Sequence, residues 1–218
     1  VREGKGQLDE PATPIAEKQE FQKFRKGRVR TTMGLLAHPP EDDRSDDLAL
    51  LTDKLGERLA FERAGARLYE ALLSKLDSYG PFEGGPERAD LEEIRSEEHE
   101  HFLMVREAIT DLGGDPAAPT PSANLIALTC RGVQAAIHDP RVDLQQSLEA
   151  ILVAELADNA GWEMLISIAE NAGKLQLAES FKNALQSEAE HVEKVQNWIK
   201  SARGVNGSAS ATPHELPD

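Results

Sequence analysis

Residues 91–112 read LEEIRSEEHEHFLMVREAITDL, and their spacing decides the fold. Leu91, Ile94, Glu98, His101, Val105, Ala108 and Leu112 recur in steps of three and four, which is the period of one face of an α-helix. That face is apolar except where Glu98 and His101 interrupt it. A carboxylate on a core-facing stripe is costly unless it is paired or coordinated. The helix is expected to start near Pro86 and to stop at Gly113-Gly114.

The same pattern occurs three more times. Leu48, Leu51, Leu55, Leu59, Glu62, Ala66, Tyr69, Leu73 and Leu76 form a stripe that begins at Ser45 and ends at Tyr79-Gly80-Pro81. Leu144, Leu148, Leu152, Glu155, Asn159, Trp162, Ile166 and Ala169 define a helix from about Asp143 to Ala172, followed by a turn at Gly173. Leu177, Phe181, Ala184, Glu188, His191, Val195 and Ile199 define the last helix, closed by Gly204. Between the second and third helices lies a connection of about 30 residues, rich in Pro and small side chains, with a short helix around 123–137. Its length suits a chain that crosses the bundle from end to end. The fold class expected is therefore all-α: a four-helix bundle of two hairpins joined by a long crossover, spanning residues 45–203. Residues 1–44 are expected to be an N-terminal arm and 204–218 a C-terminal tail. The basic run Lys23–Arg30 in the arm is equally a docking segment or a solvated tail.

The two hairpins repeat each other. Setting Glu62 against Glu155 brings Glu62-Arg63-Ala64 onto Glu155-Leu156-Ala157 and Tyr69 onto Trp162. Each of these aromatics is followed by a Glu and then, two positions later, by a Leu. Setting Glu98 against Glu188 aligns His101 with His191, Val105 with Val195 and Ile109 with Ile199. A duplicated hairpin places its halves about a pseudo-two-fold axis.

Each core stripe thus carries one Glu, and two of those Glu residues have a His three positions on, about 60° around the same face. Carboxylate oxygen and imidazole nitrogen together suit iron, manganese or zinc, and a carboxylate can bridge two ions. Four Glu balance the charge of two divalent cations; without metal they would repel one another in a low-dielectric core. The candidate ligands are Glu62, Glu98, His101, Glu155, Glu188 and His191.

These residues make the chain resemble the ferritin-like superfamily of di-iron and di-manganese carboxylate bundles, including bacterioferritins, rubrerythrins and manganese catalases. The resemblance covers roughly residues 45–203. It implies that Glu62 and Glu155 are contributed singly, as terminal or bridging ligands, and that Glu98 with His101 and Glu188 with His191 are the paired ligands. By the same resemblance Tyr69 matches a tyrosine kept beside the metals, and it is the candidate catalytic residue; core packing with a satisfied hydroxyl is its other reading. Asp158, three residues beyond Glu155, resembles an extra carboxylate that rubrerythrins carry, and it is a seventh candidate ligand. The alternative is an acceptor that orients a ligand histidine. Trp162 reads as core, Glu97 as a flank residue, and His99, Glu100 and Glu190 as solvated face.

Composition limits the function. A net charge of −15 disfavours nucleic acid as a partner. No apolar run approaches the roughly 20 residues that span a bilayer, and one cysteine, Cys130, excludes a disulfide framework and any cysteine-rich metal site. No signal peptide is visible, and a cytoplasmic location is expected; the start at Val1 leaves open whether a segment upstream was removed. The expected function is a dimetal oxidoreductase, with two iron or two manganese ions and iron favoured, acting on Fe(II), dioxygen or hydrogen peroxide as a homodimer or larger homo-oligomer. Competing readings are a manganese catalase-like activity, an oxygenase whose substrate cavity is opened by Gly65, Ala66 and Gly161, and a non-catalytic helical interaction module.

Overall fold

Helix punctuation shapes the molecule, which is described over residues 45–204 of a computed structural model. Six helices follow in order: α1 Ser45–Tyr79, α2 Arg88–Asp111, α3 Pro121–Thr129, α4 Arg131–His138, α5 Leu144–Asn171 and α6 Leu175–Ala202. There is no strand among the described residues. The arm, its basic run and all of the tail beyond Gly204 lie outside the described residues. No described helix is long and apolar enough to cross a membrane.

The ends form where local chemistry demands. At the end of α5, Gly173 takes φ +70°, a left-handed conformation open to glycine at no steric cost. Its N–H donates to Glu170 O and that of Lys174 to Ala169 O, capping two carbonyls that the helix leaves unpaired. α5 begins with a reciprocal cap. The Asp143 carboxylate accepts from the Gln146 N–H at 2.8 Å, and Gln146 Oε1 accepts from the Asp143 N–H at 3.1 Å. The second helix starts two residues later than expected from Pro86, because the Asp90 carboxylate accepts from the Glu87 N–H at 2.8 Å and sets the first turn there.

α1 packs along α2 and α5 along α6, and the two hairpins meet through α1 against α5 and α2 against α6. The expected short helix in the crossover is two helices, α3 and α4, parted at Cys130. α3 lies on α1 and α4 reaches α5, so the connection does cross the bundle. Asp53 of α1 fixes α3 by accepting from Ser122 N–H at 3.0 Å and Ser122 Oγ at 2.6 Å. Further along α1, Lys75 donates to the carbonyls of Asp139 and Val142.

Two apolar clusters fill the bundle. One holds Leu72, Leu91, Ile94, Leu148, Ile151 and Val195. The other holds Leu51, Leu55, Val105, Ile109, Leu165 and Phe181. On every long helix the stretch between these clusters carries the candidate acids, so the acids form a polar layer with apolar packing on either side.

Candidate metal centre

Because each long helix brings its Glu to the same level, the four carboxylates converge. Glu62, Glu98, His101, Glu155, Asp158, Glu188 and His191 are all buried. Glu188 sits at the middle. Its Oε1 lies 2.7 Å from His101 Nδ1 and its Oε2 lies 3.2 Å from His191 Nδ1. His101 Nδ1 is also 3.7 Å from Glu62 Oε2, while His191 Nδ1 is 3.6 Å from Glu98 Oε1 and 3.7 Å from Glu155 Oε2. Two ligand groups follow, each with its donor atoms within 4.8 Å of one another: Glu62, His101 and Glu188, and Glu98, Glu155, Glu188 and His191. A third group of the same tightness joins Glu62, Glu98, Asp158 and Glu188.

The orphaned atoms test whether a metal fits. Oε2 of Glu62, Oε2 of Glu98 and Oε2 of Glu155 are buried and make no hydrogen bond among the described residues, and neither Oε1 of Glu188 nor Nδ1 of His101, 2.7 Å apart, makes one. His101 Nδ1 is close to Glu188 but not angled for a hydrogen bond. Native interiors rarely leave so many acceptors unsatisfied in one place. Oxygen and nitrogen donors aimed at a common space are what a divalent cation of the first transition row takes. The residues present fit two such ions.

Supporting contacts explain why the side chains point inward. The Tyr69 hydroxyl donates to Glu155 Oε1 at 2.6 Å. Asn159 Nδ2 donates to the carbonyls of Glu155 at 3.1 Å and Glu188 at 3.0 Å, tying α5 to α6 at the level of the site. His191 Nε2 lies 2.7 Å from Glu97 Oε2, so Glu97 orients the ring and is more than the flank residue its position on α2 suggests. A Cβ on Gly65 would overlap the Glu98 carboxylate, and one on Gly161 would overlap Arg58 Nη1. The space these glycines leave is therefore taken by Glu98 and Arg58.

Arg58 is the main residue that the stripe pattern does not reveal. Its guanidinium is buried, with Nε 2.8 Å from Glu62 Oε1 and Nη1 2.7 Å from Asp158 Oδ1. Asp158 thus pairs with Arg58, which neither sequence-level reading of that residue included. Trp162 is core, as expected, and its ring meets His101 edge-on at 5.7 Å.

Burial, and then the neighbouring acids, push the carboxyls of Glu62, Glu98, Glu155 and Asp158 above their usual range. Burial also disfavours charge on Glu188, but the His101 and His191 rings held against its two oxygens outweigh it and bring Glu188 down to about 2. Burial likewise opposes the His191 cation, yet the carboxylates of Glu188, Glu98 and Glu155 hold it up to about 11. Without metal, a proton on His191 supplies positive charge that these acids lack.

A family described as Ferritin-like domain matches residues 89–205, more than half of the 218. The chain belongs to the ferritin-like family. The ferritin-like match takes in α2 through α6, including Glu98, His101, Glu155, Asp158, Glu188 and His191; Arg58, Glu62 and Tyr69 precede it on α1. No curated protein and no solved structure matches the chain.

Proposed function

We propose that this ferritin-like bundle is a dimetal carboxylate oxidoreductase, holding iron or manganese and acting on Fe(II), dioxygen or hydrogen peroxide. The observation that carries the reading is Glu188, a buried carboxylate with one oxygen toward each histidine and a place in every ligand group. One ion position comprises Glu62, His101 and Glu188. The other comprises Glu98, Glu155, Glu188 and His191.

Held by these residues, a redox-active metal pair would supply two-electron chemistry toward dioxygen or peroxide in a water-poor layer. The protein's own part is positioning. Glu97 accepts the Nε2 proton of His191 and so orients the ring with Nδ1 toward the carboxylates. Tyr69 holds one oxygen of Glu155 and leaves the other to the pocket. The apolar clusters above and below exclude bulk water. An organic-substrate oxygenase gains no support, since the room beside Gly65 and Gly161 is filled by Glu98 and Arg58. The homodimer or larger homo-oligomer belongs to the same proposal. It is supported by Val153, Leu156 and Met164, large apolar side chains exposed on one face of α5, and the mass in solution tests it.

Aerobic addition of Fe(II) tests the activity. Fe(II) should be consumed together with dioxygen, or peroxide should be consumed by the iron- or manganese-loaded protein, and Glu98→Gln should abolish either reaction. Wild-type rates no faster than buffer with both oxidants would contradict the reading.

A further inference from the structure

The internal repeat makes its exceptions visible. In the register that sets Glu62 against Glu155, Arg58 falls on Ile151 and Asp158 falls on Gly65. The four Glu and two His are all duplicated, whereas this cation and this anion each occur once, on opposite hairpins. In the folded molecule they meet. Arg58 Nη1 is 2.7 Å from Asp158 Oδ1 and donates to the Asp158 carbonyl at 3.1 Å. Its Nε lies 2.8 Å from Glu62 Oε1. The guanidinium is packed over Phe61 at 4.4 Å and near Trp162 at 5.4 Å, in space kept open by the missing side chain of Gly161. So enclosed, it has little freedom to swing away.

Asp158 could otherwise serve the metals. Its carboxylate belongs to a group with Glu62, Glu98 and Glu188 whose oxygens all lie within 4.8 Å of one another. Every histidine-containing group omits it. We propose that Arg58 is a positioning residue that withholds Asp158 from metal coordination and makes the Glu62–His101 position the weaker of the two ion sites. The inference rests on the dimetal reading above. Two effects act together. The guanidinium occupies one Glu62 oxygen and the carboxylate of Asp158, and it sets a permanent positive charge beside only one of the two ion positions. The other position has a neutral Tyr69 hydroxyl on Glu155 and the Glu97 carboxylate behind His191. Duplicated ligands therefore build unequal sites.

Anaerobic titration of the full chain with Co(II), followed by visible absorption, tests this. Wild type should take up two ions in two steps, and Glu62→Gln should remove the weaker step only. Arg58→Met keeps the packing volume and frees Asp158; it should tighten the weaker step by about tenfold or more, and the double variant with Asp158→Asn should return to within about threefold of wild type. Asp158→Asn alone should leave the visible spectrum of both bound ions unchanged, because no ligand is lost. A purely structural role for Arg58 would weaken both steps in Arg58→Met. An unchanged or weaker second step there, or an altered Co(II) spectrum in Asp158→Asn, would overturn the proposal while leaving the dimetal reading intact. If metal-free Arg58→Met does not fold, the Asp158→Asn spectrum decides. Wild type that binds no Co(II) overturns both.

Discussion

At the scale of single residues, two small changes separate positioning from packing. Gly65→Ala should improve intrinsic helix propensity by about 1 kcal/mol, yet its Cβ would displace the Glu98 carboxylate. The expected result is a metal-free protein whose melting temperature barely moves and whose metal affinity drops by about tenfold, about 1.4 kcal/mol; calorimetry reads both. Tyr69→Phe removes the hydrogen bond to Glu155 Oε1 and leaves that buried oxygen unsatisfied. Urea titration of the metal-free protein should show a loss of about 1–3 kcal/mol. Acidity follows from the same layer. Burial raises the carboxyls of Glu62, Glu98, Glu155 and Asp158, so protonated forms persist in the metal-free site and the ligands among them must lose protons when ions bind. Metal uptake should therefore release protons and tighten as pH rises. Calorimetry in buffers of different ionisation enthalpy measures the release, and a pH-independent affinity would contradict it. The burial of the six candidate residues in one layer was legible because core stripes expose any polar residue that breaks their period. Arg58 was not legible, although it lies four residues before Glu62 on the same helix. Nor was its pairing with Asp158, since that depends on how α1 and α5 are rotated against each other. The same holds for Glu97, whose partner is on α6.

At the scale of elements, the long helices follow their apolar period closely because each is amphipathic and ends in a local signal, such as the Gly173 turn or the Asp143 cap. The crossover was less legible. Its length indicated a crossing, but it divides at Cys130, whose φ of −69° and ψ of −16° remain close to helical, so the chain barely departs from the helical path there. What holds the crossover to α1 is long-range and side chain to backbone: Asp53 on Ser122, and Lys75 on Asp139 and Val142. Lys75→Met should leave two half-buried carbonyls without their donor and cost about 1 kcal/mol. Hydrogen exchange should show faster opening at residues 139–143 while α2 and α6 keep their protection. Uniform loss of protection throughout the bundle would show that the contact is global rather than a local tie.

For the whole molecule, the proposed metal binding would be coupled to folding. Four helices fold two apolar clusters around a layer of acids that their own packing cannot satisfy. Anything that binds this folded layer and not the unfolded chain stabilises it, by about 4 kcal/mol at a thousandfold excess over the dissociation constant. Chelation should therefore lower the melting temperature, and ion return should restore it. The ferritin-like match begins after α1, so the share of the site borne by Glu62, Arg58 and Tyr69 rests on how α1 packs. The most direct test of the central claim is metal stoichiometry, measured by elemental analysis after anaerobic loading with Mn(II), in wild type and Glu188→Gln. Two ions per wild-type chain, and fewer than one when the shared carboxylate is neutralised, is the result predicted. Equal metal content in the two proteins, or none in wild type, would contradict the account.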